Sequence, residues 1–207
     1  MGVATEYKAS SIVLLGQMNP SIHHPSWYSS VGAISSDAAQ SATEDNELLI
    51  CTPQASVFQT KEFRVQCLAY NWKIETIMDE PPKEAFDSFL EITHHVFDDC
   101  LEHTPVDACG FNFSYHKNSY AQGVGTCLDY VVGNSFESLK GLFGTGKFQL
   151  TSMSENPKIS VSVAPSTKLA AMVFVDMNFH YASPNIARTP GRYSLTIKPP
   201  ALPVRIH

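Results

Sequence analysis

Charge is what this chain has least of. Only 16% of its 207 residues are Asp, Glu, Lys or Arg, against roughly one quarter in an ordinary soluble domain. Such a surface is expected to be partly covered, by strands, by a ligand or by further copies of the chain. The net charge of -6 supplies no general basic face, so nucleic acid is not an expected partner. Long apolar runs are missing too, and no segment approaches the roughly 20 residues of a membrane-spanning helix. The opening stretch, MGVATEYKASSIVLLGQM, places an acid before a short apolar run and has no small-residue cleavage site. It reads as neither signal peptide nor anchor, and a cytoplasmic location with no membrane partner is expected.

Paired cysteines are absent as well. Cys51, Cys67, Cys100, Cys109 and Cys127 are odd in number and contain no Cys-x-x-Cys, which disfavours a disulfide framework or a zinc ribbon and favours free, mostly buried thiols. No Gly-x-Ser-x-Gly elbow and no His-Glu-x-x-His helix occurs, so no nucleophile or zinc catalyst is indicated and no cofactor is predicted. The run Gly141 to Lys147, GLFGTGK, has the spacing of a phosphate-binding loop. Such a loop needs a helix after it, with its amides facing the phosphates, and a Ser or Thr after the lysine. Phe148 stands there and a strand-like segment follows, so a glycine-rich hairpin turn is the expectation.

What is present centres on Pro81 to Tyr120. Phe86, Phe89, Leu90, Val96, Phe97, Cys100 and Leu101 recur at three- and four-residue spacing, the stripe of a helix with one buried face. Prolines 81 and 82 suit its entry and Thr104-Pro105 its exit, which sets it at about 83–102. Its other face pairs His94 with Asp98 and His95 with Asp99, four residues apart. Cys109, Phe111, Phe113 and Tyr115 then alternate with Gly110, Asn112, Ser114 and His116, as in a half-buried strand.

Further strands are expected at Ser11 to Met18, Glu47 to Pro53, Val57 to Phe58, Phe63 to Ile77 as one long strand, Gly123 to Val132, Phe148 to Met153, Ile159 to Val163 and Leu169 to Tyr181. Asn19 to Pro25 reads as turn, Ser35 to Asn46 as a polar loop, and Ser135 to Phe143 as a short helix. These elements predict an α+β domain over 1–183: a largely antiparallel sheet packed on one principal amphipathic helix.

From 184 to 207 the chain changes character. Pro184, Pro190, Pro199, Pro200 and Pro203 keep it extended, and Arg188, Arg192, Lys198 and Arg205 charge it, with no acid after Asp176. An extended basic C-terminal arm is predicted. Between Asp79 and Asp107 nine acids face one lysine, so Asp98, Asp99 and Glu102 are candidate docking positions for that arm, within a subunit or between neighbours.

Parity on two strands yields a second candidate. Asn112, Ser114 and His116 share one face, as do Asp176, Asn178 and His180. Were the strands adjacent with those faces aligned, His116, Asp176 and His180 would form a metal or general-base site.

Tyr70-Asn71-Trp72, the helix, His103-Thr104-Pro105-Val106 and Gly110-Phe111-Asn112-Phe113 occur in an order that resembles a sporadically distributed bacterial family with no assigned activity. The likeness spans about Val57 to Lys117, and Phe111-Asn112-Phe113 replaces that family's Tyr-x-Asn. It implies a strand ending near Asn-Trp, then a helix and a Gly-containing strand, and no functional residues. The expected role is a non-enzymatic subunit that binds a protein partner or itself as a homo-oligomer. A metal- or ligand-binding domain or enzyme, and single-stranded nucleic-acid binding through aromatic strands, are the alternatives.

Overall fold

A computed structural model of the chain describes residues 5–44, 48–78, 81–82, 84–118, 147–154, 156–167 and 172–182. The strand expected at Gly123 to Val132, the helix at Ser135 to Phe143, nearly all of GLFGTGK and the basic arm lie outside the described residues.

The nine described strands are β1 Thr5–Gly16, β2 Ile50–Cys51, β3 Ala55–Gln59, β4 Phe63–Leu68, β5 Asn71–Thr76, β6 Val106–Asn118, β7 Phe148–Thr151, β8 Lys158–Pro165 and β9 Met172–Ala182. They form one antiparallel sheet in the order β2-β3-β4-β5-β1-β6-β9-β8-β7. The meander β2 to β5 and the set β6-β9-β8-β7, in which the meander β7 to β9 folds back onto β6, are joined by β1, which pairs with β5 on one side and β6 on the other. β5 and β6 therefore run parallel with β1 between them. Antiparallel neighbours accept a two-residue turn, but this step needs a long crossover, and the principal helix supplies it.

That helix is α3, Ala85–His94, continued by a π-helical segment, His95–Cys100. It replaces the single α-helix expected at about 83–102. The Leu101 amide closes the π turn by donating to the Val96 carbonyl at 2.8 Å. The buried stripe is Phe86, Phe89, Thr93, Val96 and Phe97. Phe86 meets Phe111 and Phe113 of β6 at 5.6 and 4.6 Å between ring centroids, Phe89 meets Phe63 at 6.0 Å, and Phe97 stands edge-on to Trp72 at 5.1 Å. The apolar side of the acidic helix thus lies on the middle of the sheet, as its period requires.

Two local expectations are corrected and a third, the turn at Asn19 to Pro25, holds but opens a helix. The single long strand from Phe63 to Ile77 is a hairpin, β4 and β5, closed by Leu68 opposite Asn71 with Ala69 and Tyr70 at the tip. Its signal was a change of parity, because Phe63, Val65 and Cys67 face inward and then Trp72, Ile74 and Thr76 do. The polar loop at Ser35 to Asn46 contains α2, Ser36–Glu44, whose buried face is only Ala39 and Ala42. The Ser35 hydroxyl accepts from the Ala38 amide at 3.1 Å and caps it. The turn from Asn19 to Pro25 holds a short 3-10 turn, Pro20–Ile22, and leads into α1, Pro25–Ser30, with proline in its first turn.

Gly16 fixes where β1 leaves the sheet. A Cβ there would stand 2.0 Å from the Pro105 carbonyl oxygen, so no other residue fits without moving the backbone. Its amide donates to the Tyr70 carbonyl at 3.1 Å, tying the hairpin tip to the end of β1, and the next amide, of Gln17, donates to the Pro105 carbonyl at 3.1 Å just before β6.

Candidate functional site

The side of the sheet away from α3 carries the candidate site. β6 and β9 are neighbours, with Asn112 opposite Asn178, Ser114 opposite Asp176, Gly110 opposite His180 and His116 opposite Phe174. The polar faces are therefore aligned, as parity suggested. The offset decides which groups meet. Phe174 and His180 are six residues apart on β9, about 20 Å of strand, so His116 and His180 lie at opposite ends of the pairing. The expected His116, Asp176, His180 site is not assembled. His116 is 5% exposed and packs its ring on Phe174 at 5.2 Å. Among the described residues no group of three or more His, Cys, Asp or Glu side chains is placed to hold a metal ion.

Two transverse rows of side chains run across this face. In the first, Gln59, Arg64, Glu75, Ser11, Asn112, Asn178, Ser160 and Thr151 stand abreast, one per strand from β3 to β7. This row is largely closed on itself. Arg64 donates to Gln59 at 2.9 and 3.2 Å and reaches Glu75 at 3.6 Å, Asn112 donates to the Ser11 hydroxyl at 3.0 Å, and Asn178 donates to the Asn112 carbonyl oxygen. The second row is Ala9, Ser114, Asp176, Ser162 and Gln149. Its centre is a half-buried carboxyl between two hydroxyls, each a cross-strand neighbour with Cβ atoms about 5 Å apart. Burial raises the Asp176 pKa, and attraction to Lys147 acts the other way.

The acids of the helix are partly engaged by its own histidines. His94 Nδ1 lies 2.7 Å from Asp98 and His95 Nδ1 lies 2.9 Å from Asp99. His95 Nε2 also reaches the Val31 carbonyl oxygen at 2.7 Å. Acceptors on both ring nitrogens favour the doubly protonated ring of His95, and its pKa is raised by the Val31 carbonyl first and Asp99 second. Asp98 raises that of His94. Glu102 meets only the exposed His103, at 3.6 Å, among the ion pairs described. The arm residues Arg188, Arg192, Lys198 and Arg205 are outside the described residues.

A buried polar cluster on the helix side was missed from sequence. Trp72 Nε1 and His23 Nδ1 both lie 2.7 Å from the Tyr28 hydroxyl. Indole can only donate, so the Tyr28 hydroxyl uses its own hydrogen as well as its oxygen when it donates to His23 Nδ1, the arrangement of a neutral imidazole with its proton on Nε2. The His23 carbonyl accepts from the Ser56 hydroxyl. His23, Tyr28 and Trp72 are at most 1% exposed, and burial lowers the His23 pKa to about 4. The apolar period of α1 is too short to announce this cluster.

Three of the described thiols, Cys67, Cys100 and Cys109, are raised away from the thiolate form. Burial pushes Cys67 and Cys109 up to about 12. Cys100, 3.9 Å from His95 Nε2, is raised by burial and then by Asp99. Cys51 is exposed on β2, against the expectation of buried thiols, and Cys127 lies outside the described residues. The GLFGTGK run is followed by β7 rather than by a helix, which removes the anion-binding helix N-terminus that such a loop requires. No described helix is long and apolar enough to cross a membrane. No protein-family model matches the chain, and no curated protein matches it in sequence.

Proposed function

We propose that the protein is a non-enzymatic assembly subunit that joins copies of itself by adding strands at the edge of its sheet. The β7 edge carries this reading. Sheet edges are usually blunted by charge, proline, bulges or extreme shortness, because an open ladder of backbone groups recruits other chains. β2 is blunted: it has two residues and Pro53 follows closely. β7, the last strand on the other side among the described residues, reads Phe-Gln-Leu-Thr, with neither charge nor proline and an unbroken register against β8. Leu150 on it is 55% exposed, and Met153 just beyond is fully exposed.

The low charge fraction supports the same reading. The acids Asp98 and Asp99 of the π-helical segment, with Glu102 just after it, and the basic residues Arg188, Arg192, Lys198 and Arg205 supply a second contact in this proposal. Light scattering on the full chain across a concentration series tests it. The wild type is expected to be a dimer or larger, and Leu150→Lys to shift it to monomer with an unchanged far-UV spectrum. A wild type that stays monomeric throughout overturns the proposal.

A further inference from the structure

We infer that Ser114, Asp176 and Ser162 form a binding site for an organic cation, a guanidinium or alkylammonium group. Neighbouring rows on the same sheet face differ in one respect. In the Gln59 to Thr151 row most side chains spend their hydrogen-bonding groups on one another. In the adjoining row Ser114, Asp176 and Ser162 stand abreast on β6, β9 and β8 and make no hydrogen bond with one another or with any described side chain. A carboxylate half removed from water and not hydrogen-bonded is costly, and Lys147, the nearby cation, is exposed and compensates less than burial opposes.

The geometry selects the ligand class. One carboxylate and two hydroxyls, with about eight acceptor lone-pair sites among them, are spread over about 10 Å across three strands. A planar guanidinium offers five N–H donors in a fork that matches a carboxylate, and an ammonium offers three. Hard divalent ions are disfavoured, since they collect several carboxylate or carbonyl oxygens and this row holds one carboxylate. Anions meet the wrong charge. A half-buried row on a sheet face suits the end of a chain-like ligand, either an arginine side chain of a polypeptide or a free guanidino-amine.

Calorimetric titration of the full chain tests the site with three probes: the N-acetylated peptide Gly-Arg-Gly, agmatine, and the same acetylated peptide with neutral citrulline in place of arginine, the acetyl group removing the terminal ammonium. Saturable binding of both cations and none of the citrulline peptide is expected. Asp176→Asn should weaken binding about tenfold or more, the value of a charge-assisted hydrogen bond, with no fall in thermal midpoint. The Ser114→Ala, Ser162→Ala double variant, which keeps the charge, should weaken it several-fold. Tighter binding of the peptide than of agmatine assigns the site to a protein side chain, and the reverse to a small molecule. Failure of both cations to saturate, or equal binding by wild type and Asp176→Asn, overturns the inference. A monomeric wild type that still binds the cations would sink the assembly reading and leave this site standing.

Discussion

Acid should loosen this protein through one buried imidazole. His23 has a folded pKa of about 4 against 6.5 in the unfolded chain, and burial is the cause. Because the folded value is depressed, the unfolded chain takes up the proton first. The stabilisation is complete above 6.5, erodes as pH falls, and is gone once the folded form also protonates below about 4. Between about pH 7 and about pH 5 the linkage is worth about 2 kcal/mol, a large part of a typical domain's stability.

The mechanism is specific. A proton on His23 Nδ1 would meet the Tyr28 oxygen that already accepts from Trp72, and the Tyr28 hydrogen would lose its acceptor in a dry core. Urea unfolding followed by tryptophan fluorescence at a series of pH values measures the effect. The control is His23→Asn, whose side-chain oxygen can take the place of Nδ1 and cannot titrate. It should be less stable at about pH 7, yet lose about 2 kcal/mol less than wild type on going to about pH 5. The subtraction also removes the opposing contribution of His94 and His95, whose raised values stabilise below 6.5 and fade as pH rises. Identical pH slopes in the two proteins would refute the account.

Phe97→Ala opens a cavity between Trp72 and His23 and should cost about 3–5 kcal/mol by denaturant titration; a loss under about 1 kcal/mol would show that the π segment is not packed on the sheet. Gly16→Ala drives a methyl into the Pro105 carbonyl oxygen and should lower stability by more than about 3 kcal/mol or prevent soluble accumulation. An unchanged midpoint would mean that β1 and β6 part more easily than their register implies.

Face was legible in the sequence; offset was not. The Phe86-Phe89-Val96-Phe97 stripe, the inward alternation of Phe111 and Phe113, and that of Val173, Val175, Met177 and Phe179 all stand as their periods required. Period two says which side of a sheet a residue occupies. It carries no information on how far a strand slides along its neighbour, and that offset separates His116 from His180 while seating Asp176 between two serines. Helix α2 escaped because two alanines make a buried face too weak to stand out from polar loop composition, although Ser35 with Asp37 two residues on was a readable start. The hairpin at Ala69-Tyr70 lacks the glycine or asparagine that usually marks such a turn. The candidate row around Asp176 joins the consecutive strands β8 and β9 to the distant β6, and no local pattern could announce it.

The position of β1 has a consequence for biosynthesis. A ribosome delivers this strand first among the nine, yet its partners begin at Asn71 and Val106. The second flank cannot close until α3 has also emerged and crossed over. The half comprising β2 to β5 can form hairpin by hairpin as it appears, while β1, with Ile12 and Leu14 destined for the interior, must be shielded from competing strands meanwhile. Slowing translation after Asn118 would give that delayed insertion time to complete, and chaperone dependence should be greatest for nascent chains halted just before it.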